Sequence, residues 1–188
     1  MGKTGRLPEV LASGLLVLAL AGCGSDGAHV EHGGPLACGN CQGDGSMPMG
    51  IAELGTWDAA TLQNRGNARA VLERVVYLHR TPGTLLLGPL VTKNSRLGLI
   101  REFPPRHFVD KLHLLAGYQV PPYHGLEDSV DILVGISPLR KGSFSYNGLD
   151  VYYRVGKKHY VAFFDEGLRV CAPRSVPQSR CPPPHSIK

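Results

Sequence analysis

Residues 149–164 read LDVYYRVGKKHYVAFF, and this stretch decides the fold class. Apolar side chains occupy every second position of residues 149–155, and Asp150, Tyr152 and Arg154 lie between them. Such a period of two predicts a strand with one buried face. A glycine-containing turn at residues 156–158 follows, and the mostly apolar run 159–164 returns. Two runs of this kind around a short turn predict a β-hairpin.

Other short stretches also favour extended chain. Residues 57–62, 70–78, 131–137 and 168–171 are rich in β-branched and apolar residues, and the run 85–91 is interrupted by Gly88-Pro89, which predicts an edge or an end of a strand. No alternation of strands with helices is present, so these segments predict a single sandwich of two antiparallel sheets. The side chains that we expect between the sheets are Leu72, Val76, Ile132, Val134, Tyr153, Val161 and Phe163.

The link between the first two of these strands carries a recognisable turn. It contains an Asn-x-Gly-Asn-Ala-x-Ala-Val series, whose matching residues are Asn64, Gly66, Asn67, Ala68, Ala70 and Val71. In this respect the chain resembles extracytoplasmic immunoglobulin-like sandwich modules, which open with a strand, a turn of this composition and a second strand. The resemblance covers the first third of the predicted domain. It implies an immunoglobulin-like sandwich and brings no catalytic residue with it.

The N-terminal segment has the composition of a secretion signal. Lys3 and Arg6 precede residues 10–21, which carry no charge, and residues 20–23 read LAGC. The apolar run is shorter than the roughly 20 residues that span a bilayer. The segment resembles the lipobox of bacterial lipoprotein precursors. That resemblance implies a signal peptide at residues 1–22, cleavage before Cys23, and diacylglycerol and palmitate on Cys23 that anchor the chain at the extracytoplasmic face of the cell membrane.

Composition divides the rest of the chain into three parts. Residues 23–50 are rich in glycine and short polar residues, which predicts a flexible tether. The folded domain is predicted at residues 51–173. Residues 174–188 contain four prolines and are predicted to form a tail.

The charge of the chain indicates no nucleic-acid partner. It has 20 Lys and Arg residues against 15 Asp and Glu residues, a formal net charge of +5, and no basic block. A mild excess spread along the chain favours weak attraction to an anionic envelope surface.

Four cysteines remain if Cys23 carries lipid. They are Cys38, Cys41, Cys171 and Cys181, an even number that outside the cytoplasm predicts two disulfides. Three pairings are open. The most local one joins Cys38 to Cys41 and Cys171 to Cys181, whereas the crossed pairings would link the tether to the tail.

The predicted tether also contains a cluster of soft-metal ligands within 21 residues: His29, His32, Cys38, Cys41, Met47 and Met49. Thiolate and thioether groups select Cu(I), and metal can order a segment that has no structure without it. The alternative is that Cys38 and Cys41 are oxidised and that the histidines and methionines are ordinary tether content.

Motifs of hydrolases and phosphate-binding enzymes are absent from the sequence, which contains no Gly-x-Ser-x-Gly, no His-Glu-x-x-His and no glycine-rich phosphate loop. The paired carboxylates Glu127-Asp128 and Asp165-Glu166 are predicted in solvated turns. We therefore expect a lipid-anchored, non-enzymatic binding or structural module of the cell envelope with a protein partner there. A copper-binding lipoprotein that uses the tether cluster is the alternative hypothesis.

Overall fold

The computed structural model describes residues 30–39, 44–93 and 97–184. Within these ranges the helical segments are short 3₁₀ turns at Arg106–Lys111, Leu126–Asp128 and Gln178–Arg180. The strands are β1 (Val30–His32), β2 (Leu36–Cys38), β3 (Gly45–Pro48), β4 (Gly55–Asn64), β5 (Ala70–Tyr77), β6 (Thr84–Lys93), β7 (Leu99–Ile100), β8 (His113–Leu114), β9 (Gln119–Val120), β10 (Val130–Pro138), β11 (Gly142–Val155) and β12 (Lys158–Ala172).

The strands form two sheets that pack face to face. The first sheet has the order β1-β12-β11-β5-β9, and β3 also pairs with β12. The second sheet has the order β2-β4-β10-β6-β8, and β7 also pairs with β4. The long strands pair antiparallel, whereas β1 and β3 run parallel to β12. The predicted mostly β, immunoglobulin-like sandwich is confirmed.

The hydrophobic core lies between the two sheets. Leu72, Ile132, Val134 and Tyr153, all predicted to be internal, have no exposed surface. Val161, also predicted to be internal, is buried at 5% exposure, although it lies outside the central cluster. Val76 and Phe163 were assigned to the core as well, and this assignment is wrong because both side chains lie on the outer face of the first sheet.

The length of the hairpin turn explains the error at Phe163 and the position of Val161 outside the central cluster. Val155 pairs with Lys158, so only two residues separate the strands, and Tyr153 therefore pairs with Tyr160. A three-residue turn at 156–158 would instead have paired Tyr153 with Val161. Because a shift of one residue moves every side chain to the opposite face, the inner positions of β12 are the even-numbered ones. Phe163 is accordingly 51% exposed.

A β-bulge explains the error at Val76. Tyr153 pairs with Leu72, but the neighbouring Tyr152 pairs with Arg74, so β5 holds one extra residue at this point. The extra residue reverses the alternation beyond it. Val75 and Tyr77 consequently pack against the core, and Val76 pairs with Asp150 on the outer face.

The predicted central strand is β10, which lies between β4 and β6 and is buried along its whole length. Its outer face is covered by the chain that follows β7. The ring of Phe103 lies 2.6 Å from the position that a Cβ atom on Gly135 would occupy, so only glycine leaves room for this contact. The outer face of the second sheet is therefore covered there, in contrast to that of the first.

Asn64 organises the turn that carried the immunoglobulin-like resemblance. Its side-chain amide is fully buried and donates hydrogen bonds to the carbonyl oxygens of Ala68 and Val120 at 2.8 and 3.1 Å. Its side-chain oxygen accepts a hydrogen bond from the N–H of Gly66 at 3.0 Å. The side chain thus joins the β4–β5 turn to β9, because buried backbone groups need partners.

The prediction of a flexible tether at residues 23–50 is wrong for 30–39 and 44–50. β1 and β3 add to the edge of β12, and β2 adds to β4. The hydroxyl of Tyr153 donates a hydrogen bond to the carbonyl oxygen of Gly33 at 2.7 Å and accepts one from the N–H of Leu36 at 3.2 Å. The folded domain therefore begins before residue 51. Residues 23–29 and 40–43 of the predicted tether lie outside the described residues.

The C-terminal boundary also differs from the predicted one. The predicted strand at 168–171 is the continuation of β12, so Asp165-Glu166 lies within a strand and not in a turn, and Glu166 is only 3% exposed. A disulfide joins Cys171 to Cys181, whose side chain is fully buried. Gln178 donates a hydrogen bond to the hydroxyl of Ser46 at 2.8 Å. Residues 174–184 of the predicted tail are thus attached to the domain, and residues 185–188 lie outside the described part.

Candidate functional site

The residues predicted to bind a soft metal do not meet in the described part of the chain. His32 lies on β1 in the first sheet and Cys38 on β2 in the second. Cys38 is disulfide-bonded and offers no thiolate. Since Cys171 and Cys181 are bonded to each other, the partner of Cys38 lies outside the described residues. His29 and Cys41 lie outside them too.

The two methionines of the predicted cluster belong to the hydrophobic core. Met47 is 8% exposed and Met49 is fully buried. The methyl carbon of Met49 lies 3.0 Å from the position of a Cβ atom on Gly55. Among the described residues, no three His, Cys, Asp or Glu side chains form a group suited to a metal ion. The described members of the cluster therefore lack the shared geometry that the copper hypothesis requires.

Cys23, the predicted lipidation site, lies outside the described residues. In the part of the chain that the structure describes, no helix has the length and hydropathy needed to cross a bilayer. Among the described residues, the feature relevant to the predicted lipid anchor is the position at which the chain enters the sandwich.

The sandwich has two distinct ends. One is the hairpin end, where the β11–β12 turn lies and where Val30 of β1 pairs with His159. The other is the loop end, where β10 leads into β11 and where β12 finishes at Ala172. At about 3.3 Å per residue, the 15-residue strand β12 separates the two ends by about 46 Å.

Backbone hydrogen bonds hold three loops together at the loop end. The N–H of Ala52 donates to the carbonyl oxygen of Pro138 at 2.8 Å, and the N–H of Leu139 donates to that of Gly83 at 3.0 Å. Gly83 has a φ of +112°, and a Cβ atom there would lie 2.4 Å from the ring of Phe144. Glycine is therefore required for this approach.

Apolar side chains at the loop end remain exposed to solvent. Leu139 is 56% exposed, and an open depression of about 460 Å³ lies beside it, lined by Arg80, Pro82, Gly83 and Thr84. Ile51, Leu54 and Leu85 are each at least 41% exposed. Clustered exposed apolar residues with a polar rim are typical of interaction sites.

The rim of this area is basic. The acidic side chains nearby are already paired, Glu53 with Arg174 at 3.2 Å and Glu102 with Arg106 at 3.6 Å. Burial opposes ionisation of Glu53, but the Gly50 N–H together with Arg174 and Arg101 outweighs it and holds the pKa of this carboxyl below its ordinary value.

Arg80, Arg140 and Lys141 form the remaining cationic rim. Arg80 donates a hydrogen bond to the carbonyl oxygen of Thr84, and the guanidinium of Arg140 lies 5.7 Å from the centre of the Phe144 ring. None of the three lies within ion-pair distance of a carboxylate of the described residues. We define the loop-end surface as Ile51, Leu54, Arg80, Leu85, Leu139, Arg140 and Lys141.

A second concave feature lies at the open edges of the two sheets. β9 pairs with β5 only at Ala70 and Val71, and β8 pairs with β6 only at Leu90 and Val91. Between these edges is a cleft of about 310 Å³, lined mainly by apolar residues. Leu114 at its rim is 76% exposed, and the charged residues that line the cleft are Glu73 and Arg74.

Sequence reasoning missed the loop-end surface, although one signal for it was present. Residues 138–141 read PLRK, an apolar residue followed by two cations in a turn. The other members come from loops separated by many residues in the chain. The pairing of β10 with β4 and β6, together with the hydrogen bonds between these loops, brings Ile51, Arg80 and Leu139 to the same end.

Comparisons with known proteins give only distant structural neighbours. No family model matches the chain, and no curated protein matches it. The PapD-like domain 7 of human CEP192, an ASH/PapD-like domain, is 11% identical, with 75% of this chain and 87% of that one covered and a TM-score of 0.39.

Two solved proteases are also similar to part of the chain. The VesB protease of Vibrio cholerae is 11% identical, with 73% of this chain and 32% of that one covered and a TM-score of 0.33. The secreted serine protease VesC of Vibrio cholerae is 14% identical, with 64% and 21% covered and a TM-score of 0.26. The chain thus spans a third or less of either protease, and the likeness concerns the fold alone.

Proposed function

We propose that this protein is a lipid-anchored module of the bacterial cell envelope that binds a protein partner through the loop-end surface and catalyses no reaction. The observation that carries the proposal is the entry of the chain at Val30, at the hairpin end. A lipid on Cys23 would hold that end near the membrane. The loop-end surface, about 46 Å away, would then face a partner in the envelope.

The chemistry of the loop-end surface supports an acidic protein partner. Exposed leucine and isoleucine side chains supply apolar contact area, and Arg80, Arg140 and Lys141 surround them with positive charge. An interface of this kind favours a partner with an apolar centre and a carboxylate rim, because complementary potentials speed association and exclude wrong partners.

Two tyrosines with strongly raised pKa values pack in or against the hydrophobic core. Burial raises the pKa of Tyr146 well above its ordinary value, and burial also raises the pKa of Tyr77. Their rings pack against each other with centroids 5.2 Å apart inside the sandwich. Paired aromatic rings of this kind contribute to packing within the sandwich.

The lipid anchor is tested by Cys23→Ala. We expect the variant to take up no radiolabelled palmitate in a bacterial host and to appear as uncleaved precursor or released protein, because the thioether can form only on Cys23. Ser25→Ala, two residues further along, serves as the control and should be labelled as the wild type is. Normal labelling of Cys23→Ala would exclude the anchor.

The binding surface is tested by reversing its charge. A photo-crosslinking residue at position 139 should capture a defined partner in intact cells, and Arg140→Glu with Lys141→Glu should lower the crosslinking yield about fivefold or more because like charges repel. The matched control is Lys93→Glu with Lys111→Glu, the same charge change at two exposed lysines outside the loop-end surface. Equal yields in the two double variants would show that the loop-end surface is not the binding site.

A further inference from the structure

The number of residues between the proposed anchor and the first strand limits how far the domain stands from the membrane. Six residues separate Cys23 from Val30. At no more than about 3.6 Å per residue, the seven steps between them reach about 25 Å. This distance is about half of the length of β12, so Val30 and its neighbours in the first sheet must stay near the bilayer. The limit rests on the proposed lipidation of Cys23.

A group of cationic residues lies at the same end of the sandwich as Val30. It pairs with His159, which adjoins Lys157 and Lys158 at the β11–β12 turn. Arg154 lies on β11 at the same end, and its neighbour Val155 pairs with Ala70, next to Arg69. Lys157, Lys158, Arg154 and Arg69 are all exposed.

The β11–β12 turn projects freely into solvent. Gly156 has a φ of +60°, and, apart from its chain neighbours, no heavy atom of the described residues lies within 4 Å of the position that its Cβ would take. Lys157 is not within ion-pair distance of any described carboxylate. The turn can therefore approach a flat surface without moving other parts of the protein.

The carboxylates at the hairpin end leave the turn itself cationic. Glu31 lies 3.4 Å from Lys158, and Glu73 lies 3.1 Å from His159 and 4.0 Å from Arg154. Glu127 and Asp128 precede β10 in the other sheet. The turn therefore carries two adjacent exposed lysines, of which Lys158 shares its charge with Glu31 and Lys157 has no carboxylate of the described residues within ion-pair distance.

We propose that the hairpin end binds anionic phospholipid headgroups through Lys157 and Lys158, which orients the anchored sandwich with its loop-end surface away from the bilayer. Juxtamembrane cations are attracted by an anionic leaflet, and each contributes about fivefold to vesicle partitioning. The attraction declines within a Debye length of about 8 Å at physiological salt, so it acts on the turn and not on the distant loop end.

The orientation is tested with native lysines as reporters. The lipidated protein is reconstituted in vesicles of phosphatidylcholine alone or with 30% phosphatidylglycerol, and an amine-reactive reagent labels its lysines for mass spectrometry. We expect labelling of Lys157 and Lys158 to fall about fivefold on the anionic vesicles and to recover in high salt, whereas Lys141 keeps its rate. If Lys157 and Lys158 are labelled as fast on the anionic vesicles as on the phosphatidylcholine vesicles, the proposal is overturned.

A second experiment separates this proposal from the lipid anchor. Unlipidated protein with Cys23→Ser is sedimented with the same anionic vesicles. Lys157→Gln with Lys158→Gln should lower partitioning about 25-fold, and Arg140→Gln with Lys141→Gln should leave it unchanged. If the second pair reduces binding as much as the first, the loop end is the lipid-binding surface and the proposal fails. Because this assay needs no lipid on Cys23, its outcome does not depend on the palmitate-labelling result.

Discussion

Replacing Asn64 with alanine is expected to lower the free energy of unfolding by about 3 kcal/mol. The substitution removes two hydrogen bonds donated to the carbonyl oxygens of Ala68 and Val120 and one accepted from the N–H of Gly66. Each buried group left without a partner costs about 1–3 kcal/mol, and relaxation at the solvent-facing side of the turn recovers part of this. The loss should appear in urea unfolding as a lower midpoint with an unchanged slope.

The matched control for this prediction is Asn67→Ala in the same turn. Asn67 is exposed, and its replacement should change the free energy of unfolding by less than about 0.5 kcal/mol. If Asn64→Ala and Asn67→Ala have the same effect, Asn64 does not join the turn to β9 in the way described. Amide hydrogen exchange provides a second readout, since protection of Leu72, whose N–H donates to Tyr118, should also fall.

Removing the disulfide between Cys171 and Cys181 is expected to have a similarly large effect. The double variant Cys171→Ser with Cys181→Ser opens a loop whose ends are ten residues apart in sequence. Loop-closure entropy predicts a loss of about 3 kcal/mol in the free energy of unfolding. Cys181 is fully buried, so a serine there also places a hydroxyl in an apolar site.

Limited proteolysis gives this prediction a local readout. Trypsin should cleave after Arg174 and Arg180 faster in the double variant, because the segment is then held mainly by contacts such as that of Gln178 with Ser46. Ser175→Ala, an exposed substitution within the same loop, is the control and should keep the wild-type rate. Unchanged cleavage in the double variant would mean that the disulfide does not hold residues 174–184 on the domain.

The position of strand β1 changes the predicted relation between the protein and the membrane. A tether from residue 23 to residue 50 would have let the sandwich rotate freely above the bilayer. Strand β1 begins at Val30, so only residues 24–29 separate it from the proposed lipid. Because the connection is short, the surface of the domain can set the orientation of the sandwich on the membrane. The two ends of the sandwich can then have different roles.

The sequence alone determined the class of the fold and its central elements. Alternation at residues 149–155 and the apolar run at 131–137 predicted β11 and β10, because strand periodicity and continuous burial are local properties of the chain. The turn around Asn64 was also recognisable, since its geometry depends on neighbouring residues. These parts of the prediction did not depend on which strands pair.

Which faces are buried, where the domain begins and where the loop-end surface lies depend on contacts between residues far apart in the chain. The two-residue turn and the bulge in β5 set the inner positions, and neither changes the local alternation that the sequence displays. β1 and β3 have no periodicity of their own and exist because the edge of β12 supplies hydrogen-bonding partners. Ile51, Arg80 and Leu139 lie at one end of the sandwich for the same physical reason: strand pairing and hydrogen bonds between segments far apart in the chain, which no local pattern shows, hold them there.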